Sequence, residues 1–227
     1  MTPSSAIQEP ASHRRIRLTV WGVAIVTALF AVGQTTANLA LGHYEATSAN
    51  LAKAERRLLH SGLSRDWQWL LKSGMSAGTT VSEWIDTVEL ANLQRRQFYD
   101  ELSEDLFRGF VLSPQVMSGW LLRGDLRREL WRYFAPRVRK ESDVTKGAAI
   151  IAQELRIQVT SNPNAAAVAL LLAWQRGEAH PDEWEALYIA ALRSAGVAAR
   201  IGDNGRAQVW VEKAWQDAPR PLQASSL

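Results

Sequence analysis

The sequence predicts an α+β fold that is mostly helical, with a membrane-spanning helix near the N-terminus and a small antiparallel sheet near the C-terminus. Three observations lead to this prediction. An uncharged stretch near the N-terminus is long enough to cross a bilayer, helical periodicity recurs through the middle, and two β-branched runs flank the turn Asp203–Gly205. The 227 residues suffice for one modest domain with attachments.

Composition excludes several kinds of chemistry. The chain has no cysteine, so thiolate catalysis, disulfides and thiolate metal sites are impossible. His13, His43 and His60 are scattered, and no glycine-rich phosphate loop is present, so we expect no metal and no other cofactor. Beyond residue 17 acidic and basic residues nearly balance, and we therefore expect no nucleic-acid partner.

The N-terminal segment has the composition of a membrane anchor. A cytoplasmic basic tail, residues 1–17, precedes the uncharged residues 18–42. About 20 helical residues cross a bilayer, and arginines keep their own side in the cytoplasm. We therefore predict a single-pass protein of a bacterial inner membrane, held in the lipid bilayer through residues 18–42, with its C-terminal domain periplasmic or extracellular. A signal peptide cleaved near residues 31–33, or a buried soluble helix, is the alternative.

Residues 43–130 are predicted to form an extracytoplasmic helical region. A first helix ends at Gly62, and a short amphipathic helix follows it. Thr80 and Glu83 make a capping box for a helix predicted to continue through Leu106. Its apolar stripe comprises Trp84, Val88, Ala91, Phe98 and Leu102. Such a stripe is typical of a core face, and a docking face for another membrane subunit is the alternative.

Two further helices are predicted in the next part of the chain. Residues 121–134 form a helix bounded by Pro136. One side of it carries Leu122, Leu126 and Leu130. Ser142 or Asp143 caps a helix through Leu155, and the β-branched residues 156–160 form an extended connection.

The last two predicted helices differ in pattern. The first begins at Asn162 and Pro163 and ends before Gly177. It is apolar nearly all round, and we expect it to be central to the domain. The second begins after His180 with carboxylates in its first turn and is predicted to be amphipathic. Its apolar face comprises Trp184, Leu187, Tyr188, Ala191, Leu192 and Ala195.

Two phrases near the C-terminus carry a resemblance to a known family. The first is AWQRGEAHPDEWEALYIAALRSAGVAAR, residues 173–200, and the second is AQVWVE, residues 207–212. Together they resemble the transglutaminase-like superfamily of papain-like cysteine enzymes. In that family the first phrase holds a helix ending in glycine and then the catalytic cysteine at the start of the next helix, and the second presents the catalytic histidine. The resemblance implies that residues 131–227 are a reduced transglutaminase-like domain.

The resemblance also implies that this copy is a pseudoenzyme. The cysteine position is occupied by Pro181, the histidine position by Gln208, and the acidic third member falls near Asp217. Proline has no side-chain heteroatom, and glutamine exchanges no proton at neutral pH. Pro181, Gln208 and Asp217 would then be a vestigial site, and we expect no catalytic residue.

A vacated substrate cleft implies binding as the function. The candidate binding residues are His180, Trp184, Gln208, Trp210 and Trp215. Aromatic faces with a few amides suit a peptide or a glycan ligand. We therefore expect a catalytically inactive, membrane-anchored binding or scaffold subunit of a bacterial envelope complex, with another membrane or periplasmic protein as its partner.

Two alternatives remain. One is an extracytoplasmic hydrolase of peptide or glycan that uses His180 and nearby carboxylates. These carboxylates are Asp182, Glu183, Glu185 and Glu212. The other is an assembly factor for a membrane enzyme, which leaves after assembly. Ser194 lies at the far end of its helix, so a serine triad is not expected.

Overall fold

The computed structural model describes residues 49, 51–73, 80–160 and 170–221. These residues have an α+β structure that is mostly helical with small sheets, which confirms the predicted class. Residues Lys53–Leu227 form one compact unit. Among the residues described, none of the helices has the length and apolar character to cross a bilayer. The predicted span at 18–42 lies outside them.

The elements follow one another in this order. The helices are α1 (51–60), α2 (Ser64–Lys72), α3 (Val81–Leu93), α4 (Glu104–Phe107), α5 (Gly124–Val138), α6 (Val144–Glu154), α7 (Leu170–Arg176) and α8 (Pro181–Ser194), and a π-helical turn, Arg108–Leu112, follows α4. The strands are β1 (Gln115–Met117), β2 (Trp120–Leu121), β3 (Gln158–Val159), β4 (Glu178–Ala179), β5 (Ala199–Ile201), β6 (Ala207–Val211) and β7 (Ala214–Asp217). β1 and β2 pair antiparallel, β3 and β4 pair parallel, and β5, β6 and β7 form an antiparallel sheet with β6 in the centre.

Helix α3 begins as predicted but is shorter than predicted. Thr80 and Glu83 form the capping box. The helix ends at Leu93, so the prediction of a helix through Leu106 is wrong. Residues 94–103 leave the helix direction instead and place the Phe98 ring on the core. The ring lies so close to Gly147 that a Cβ atom on residue 147 would not fit. Tertiary packing of one aromatic ring has overridden the local helical pattern.

Helix α5 corrects the prediction for its own segment. It begins at Gly124 and runs to Val138, past Pro136, which lies inside the helix and does not bound it. Pro136 is exposed, so water can replace the backbone hydrogen bond that proline removes. Leu126 and Leu130 are buried as predicted. The predicted domain boundary at residues 130 and 131 falls within this helix.

Helix α8 is the centre of the core. Every residue from Glu183 to Ser194 is buried, so the prediction of an amphipathic helix is wrong. The described part of α7 buries Leu170 and Ala173 but leaves Leu172 50% exposed. The expectation that this helix is central is therefore wrong for its described turns, while Gly177 ends it as predicted with φ of 71°.

The three-stranded sheet has two different turns. Asp203–Gly205 connect β5 to β6, as the hairpin pattern predicts. β6 and β7 are joined by Glu212 and Lys213, which both have left-handed backbone with φ of 49° and 66°. A two-residue hairpin turn requires this conformation at both positions, although neither side chain favours it.

Two buried arginines hold the connection from the π-helical turn to β1. Arg127 on α5 donates to the carbonyls of Val111 and Leu112 at 2.9 and 3.1 Å. Arg193 on α8 donates to three carbonyls, those of Ser113 (3.1 Å), Gln115 (2.7 Å) and Ala199 (2.9 Å). Burial lowers the pKa of both guanidinium groups. We call these two side chains the arginine clamp.

Candidate functional site: the cleft beside helix α8 and the outer face of the sheet

The N-terminus of α8 is built from local sequence. His180 is the N-cap residue and Pro181 the first residue of the helix, where the missing N–H of proline costs nothing. The Glu183 carboxylate accepts the backbone N–H of His180 at 2.8 Å, which makes half of a capping box. Pro181, which stands at the cysteine position of the family that the chain resembles, therefore serves to start the helix.

Pro181 lines an open cleft of about 970 Å³. One wall comes from the end of α6 and from β3, and the other from the first turns of α8 and the segment after β7. The lining residues are Ala152, Gln153, Leu155, Arg156, Ile157, Gln158, Val159, Pro181, Trp184, Glu185, Arg220 and Pro221. Most of this surface is apolar, and the charged groups in it are two arginines and one glutamate.

The carboxylate of Glu185 is already engaged. One oxygen accepts the backbone N–H of Ala207 at 2.9 Å, and the other pairs with Arg220. The Arg220 guanidinium lies 5.4 Å from the centre of the Trp184 ring. Glu185 therefore joins α8 to the sheet and to the segment after β7, and it is not poised as a free acid or base.

Tyr188 supports this wall from inside the protein. Its ring lies 5.1 Å from that of Trp184, and its single hydroxyl proton is shared between the carbonyls of Ala148 and Pro219, whose oxygens lie 3.1 and 2.6 Å from the hydroxyl oxygen. Burial raises the pKa of the Tyr188 phenol, because the charged form would be desolvated, and the charge of Glu185 acts in the same direction. The hydroxyl therefore remains a neutral donor.

The outer face of the three-stranded sheet carries the other candidate residues. Gln208 lies between Arg200 and Asp217 across the strands. Its side chain accepts from Arg200 at 3.2 Å and donates to Asp217 at 3.2 Å. The ring centres of Trp210 and Trp215 are 5.3 Å apart.

Trp215 is enclosed by its neighbours on this face. Phe110 meets its ring at 4.7 Å between centres, and the Arg200 guanidinium lies 4.5 Å above it. The rings of this aromatic cluster are thus packed against one another, and Trp210 and Trp215 are half-buried.

The candidate binding residues do not form one site. Alternate residues of a strand point to opposite faces, and Ala207 and Val209 are the buried ones on β6. Gln208 and Trp210 consequently lie on the other face, and neither lines the cleft that contains Pro181 and Trp184. The expectation of a single site is therefore corrected. Of the vestigial trio, the structure joins Gln208 to Asp217 and places Pro181 in the cleft.

The residues of the alternative hydrolase are dispersed or occupied. Asp182 and Glu212 are exposed, the latter in the turn between β6 and β7. Ser194 is buried and donates to the carbonyl of Ala190 at 2.7 Å. His60 contacts the carbonyl of Arg56, and His13 and His43 lie outside the described residues. In the described part of the chain no cluster of histidines and carboxylates could hold a metal ion.

Sequence reasoning missed the residues that give the cleft its charge. Arg156 and Arg220 belong to connections far apart in the chain, and no local pattern marks either as part of a site. The one available signal was Glu185, an acidic residue one helical turn into α8, at the start of the apolar run Ala186–Leu192. Such a residue needs a partner when buried, and its partner defines the wall of the cleft.

Comparison of the chain with known protein families, curated proteins and solved structures found no match. What is known of the fold and of the two surfaces therefore comes from the structure alone. Function follows from the chemistry of the groups that the cleft and the sheet present.

Proposed function

We propose that this protein is a membrane-anchored, catalytically inactive transglutaminase-like protein that acts as a binding or scaffold subunit of a bacterial envelope complex. The cleft beside α8 is its binding surface. One observation carries the proposal: among the described residues, those that line the cleft include no nucleophile, and their one carboxylate, Glu185, is engaged by Ala207 and Arg220. Pro181 occupies the helix start at which the resembled family has cysteine.

The anchor and the location rest on the sequence. Residues 18–42 are uncharged and follow a basic tail. Such a segment spans the bilayer with its arginine-bearing end in the cytoplasm, which places residues 43–227 in the periplasm of a bacterial cell. A partner that reaches the cleft is therefore another membrane or periplasmic protein.

The structure favours binding over hydrolysis for a specific reason. A general acid or base must reach the substrate, and His180 does not line the cleft. Glu183 serves the start of α8, and Glu185 joins that helix to the sheet. These two carboxylates thus already stabilise the fold.

A pair of matched variants tests the proposal. Val159 lies in the cleft and Leu172 lies outside its lining, and the two are 52% and 50% exposed. The full chain would be purified in mild detergent from its own cells and its partners quantified by mass spectrometry. A stoichiometric partner should be lost by about tenfold or more in Val159→Glu, because a charge is then desolvated in the interface, and be retained in Leu172→Glu.

A second arm addresses the enzyme. The double variant His180→Ala with Asp182→Ala removes two of the three titratable groups at the start of α8 and leaves Glu183, which caps the helix, in place. We expect partner binding and cellular function to be unchanged. Loss of function in this variant, with the partner still bound, would establish the hydrolase and end the scaffold proposal.

A further inference from the structure

We propose that the ligand of the cleft is an extended, acidic peptide segment that adds to the free edge of β3. This inference rests on the proposed function of the cleft as a binding surface and names the chemical class of its ligand. Three features carry it: an edge of β3 with which no other described strand pairs, the apolar surface beside it, and the two arginines that line the same cleft.

The free edge is set by the pairing of β3 with β4. Gln158 donates to the carbonyl of Gly177 at 2.8 Å, and Thr160 donates to that of Ala179 at 2.9 Å. The N–H and C=O of one residue in a strand point to the same edge, and those of the next residue point to the opposite edge. The N–H and C=O of Val159 therefore point away from β4, toward the side on which a further strand would pair.

The cleft surface beside this edge is apolar. Leu155, Ile157, Pro181 and Trp184 all line the cleft together with Val159. A peptide that pairs with a sheet edge places alternate side chains toward the domain, where pockets select them. Every second side chain of the ligand should thus be apolar and rest on Trp184 and its neighbours.

The charge of the cleft selects acidic side chains. The Arg156 side chain is 80% exposed, and its nearest carboxylate is Glu154 at 4.0 Å. Glu154 is closer to Arg137, at 3.4 Å. Arg220 is 47% exposed on its side chain. Since Glu185 is neutralised by Arg220 and a backbone N–H, the lining presents a net positive charge to the ligand.

The first test uses a defined probe and two variants of one residue. A fluorescein-labelled hexapeptide, acetyl-Val-Glu-Val-Glu-Val-Glu, would be titrated into the full chain in nanodiscs and followed by fluorescence anisotropy. Val159→Pro removes the outward N–H without breaking the pairing with β4 and should weaken binding about tenfold. Val159→Thr keeps the N–H and the shape, and should stay within about twofold.

The second test addresses charge. Arg156→Glu should weaken binding of the same peptide about tenfold, while Arg206→Glu, an equal charge change at the hairpin between β5 and β6, should have no effect. The lysine counterpart of the peptide should bind at least about tenfold more weakly. Equal binding of the two peptides, or full binding of an N-methylated acidic peptide, would overturn the inference.

A neutral sugar separates this inference from the proposed function. If a tetrasaccharide of N-acetylglucosamine binds in a manner sensitive to Val159→Glu and the peptide does not, the peptide inference fails and the binding function stands. If neither probe binds and the cellular partner is retained in Val159→Glu, both fail. Peptide binding with the variant pattern described above supports both.

Discussion

Helices α7 and α8 follow each other in the chain, and their sequences predict the opposite of their positions. The described turns of α7 are rich in leucine, yet they leave Leu172 half exposed. α8 contains four charged residues from Asp182 to Arg193 and is buried over twelve successive residues. Apolar content therefore did not decide which helix became the centre.

The difference lies in side-chain size and in polar partners. Ala186, Ala190 and Ala191 let neighbouring elements approach α8 closely on several sides. Its buried polar groups each have a partner, as Glu185 does in Ala207 and Arg193 does in three carbonyls. A helix is buried all round when it is thin enough to be surrounded and its polar groups are satisfied.

The largest effect should come from removing the α8 half of the arginine clamp. Arg193→Met leaves the carbonyls of Ser113, Gln115 and Ala199 without their donor in the core and should lower the free energy of unfolding by about 3 kcal/mol. Arg176→Met on α7 makes the same exchange at the surface and should cost less than about 0.5 kcal/mol. Urea unfolding of the full chain in detergent measures both, and equal losses would contradict the contrast between the helices.

A change of size should have the next largest effect. Ala190→Leu adds volume where no space exists and should lower the free energy of unfolding by about 2 kcal/mol. Leu172→Ala changes α7 by the same number of atoms but should cost only about 0.5 kcal/mol, because half of that side chain is already in water. The same urea series decides, and a larger loss for Leu172→Ala would show that α7 is the better packed helix.

The smallest effect is a pH dependence that belongs to α8. The pKa of Tyr188 is raised in the folded protein, so the folded state binds the phenol proton more tightly than the unfolded state, whose pKa is about 10. Stability from this group is thus fully present below pH 10 and is lost as the pH rises beyond it.

The variant Tyr188→Phe isolates this dependence. It should be about 1 kcal/mol less stable at pH 7, because the carbonyls of Ala148 and Pro219 lose the one hydroxyl proton that they share, but should decline less between pH 9 and 11.5. Thermal unfolding at a series of pH values gives the difference between the two proteins. Parallel curves would mean that Tyr188 ionises as easily when folded.

Local signals predicted much of the secondary structure. The capping residues Thr80 and Asp143, the terminal glycine of α7 and the hairpin at Asp203–Gly205 are all as predicted. Each depends on neighbours within a few residues, so the sequence contains the whole cause. The end of α3 and the continuation of α5 past Pro136 depend on tertiary packing and on solvent exposure, which no local window contains.

The candidate site was predictable only in part. The resemblance directed attention to Pro181, Trp184, Gln208 and Asp217, and Gln208 and Asp217 do meet on adjacent strands. Which face of the sheet they occupy follows from the strand register, and a shift of one residue reverses it. The charged groups of the cleft come from two connections separated in sequence, so their meeting follows from topology and not from any motif.

The arginine clamp also has a consequence for the order of folding during synthesis. Ser113 and Gln115 precede Arg193 by 80 and 78 residues, and their carbonyls are held by that side chain. During synthesis on a ribosome, these two carbonyls remain hydrated until Arg193 has emerged. The connection therefore reaches its final structure only together with the C-terminal third, and a chain truncated before Arg193 would lack the donor for the carbonyls of Ser113 and Gln115.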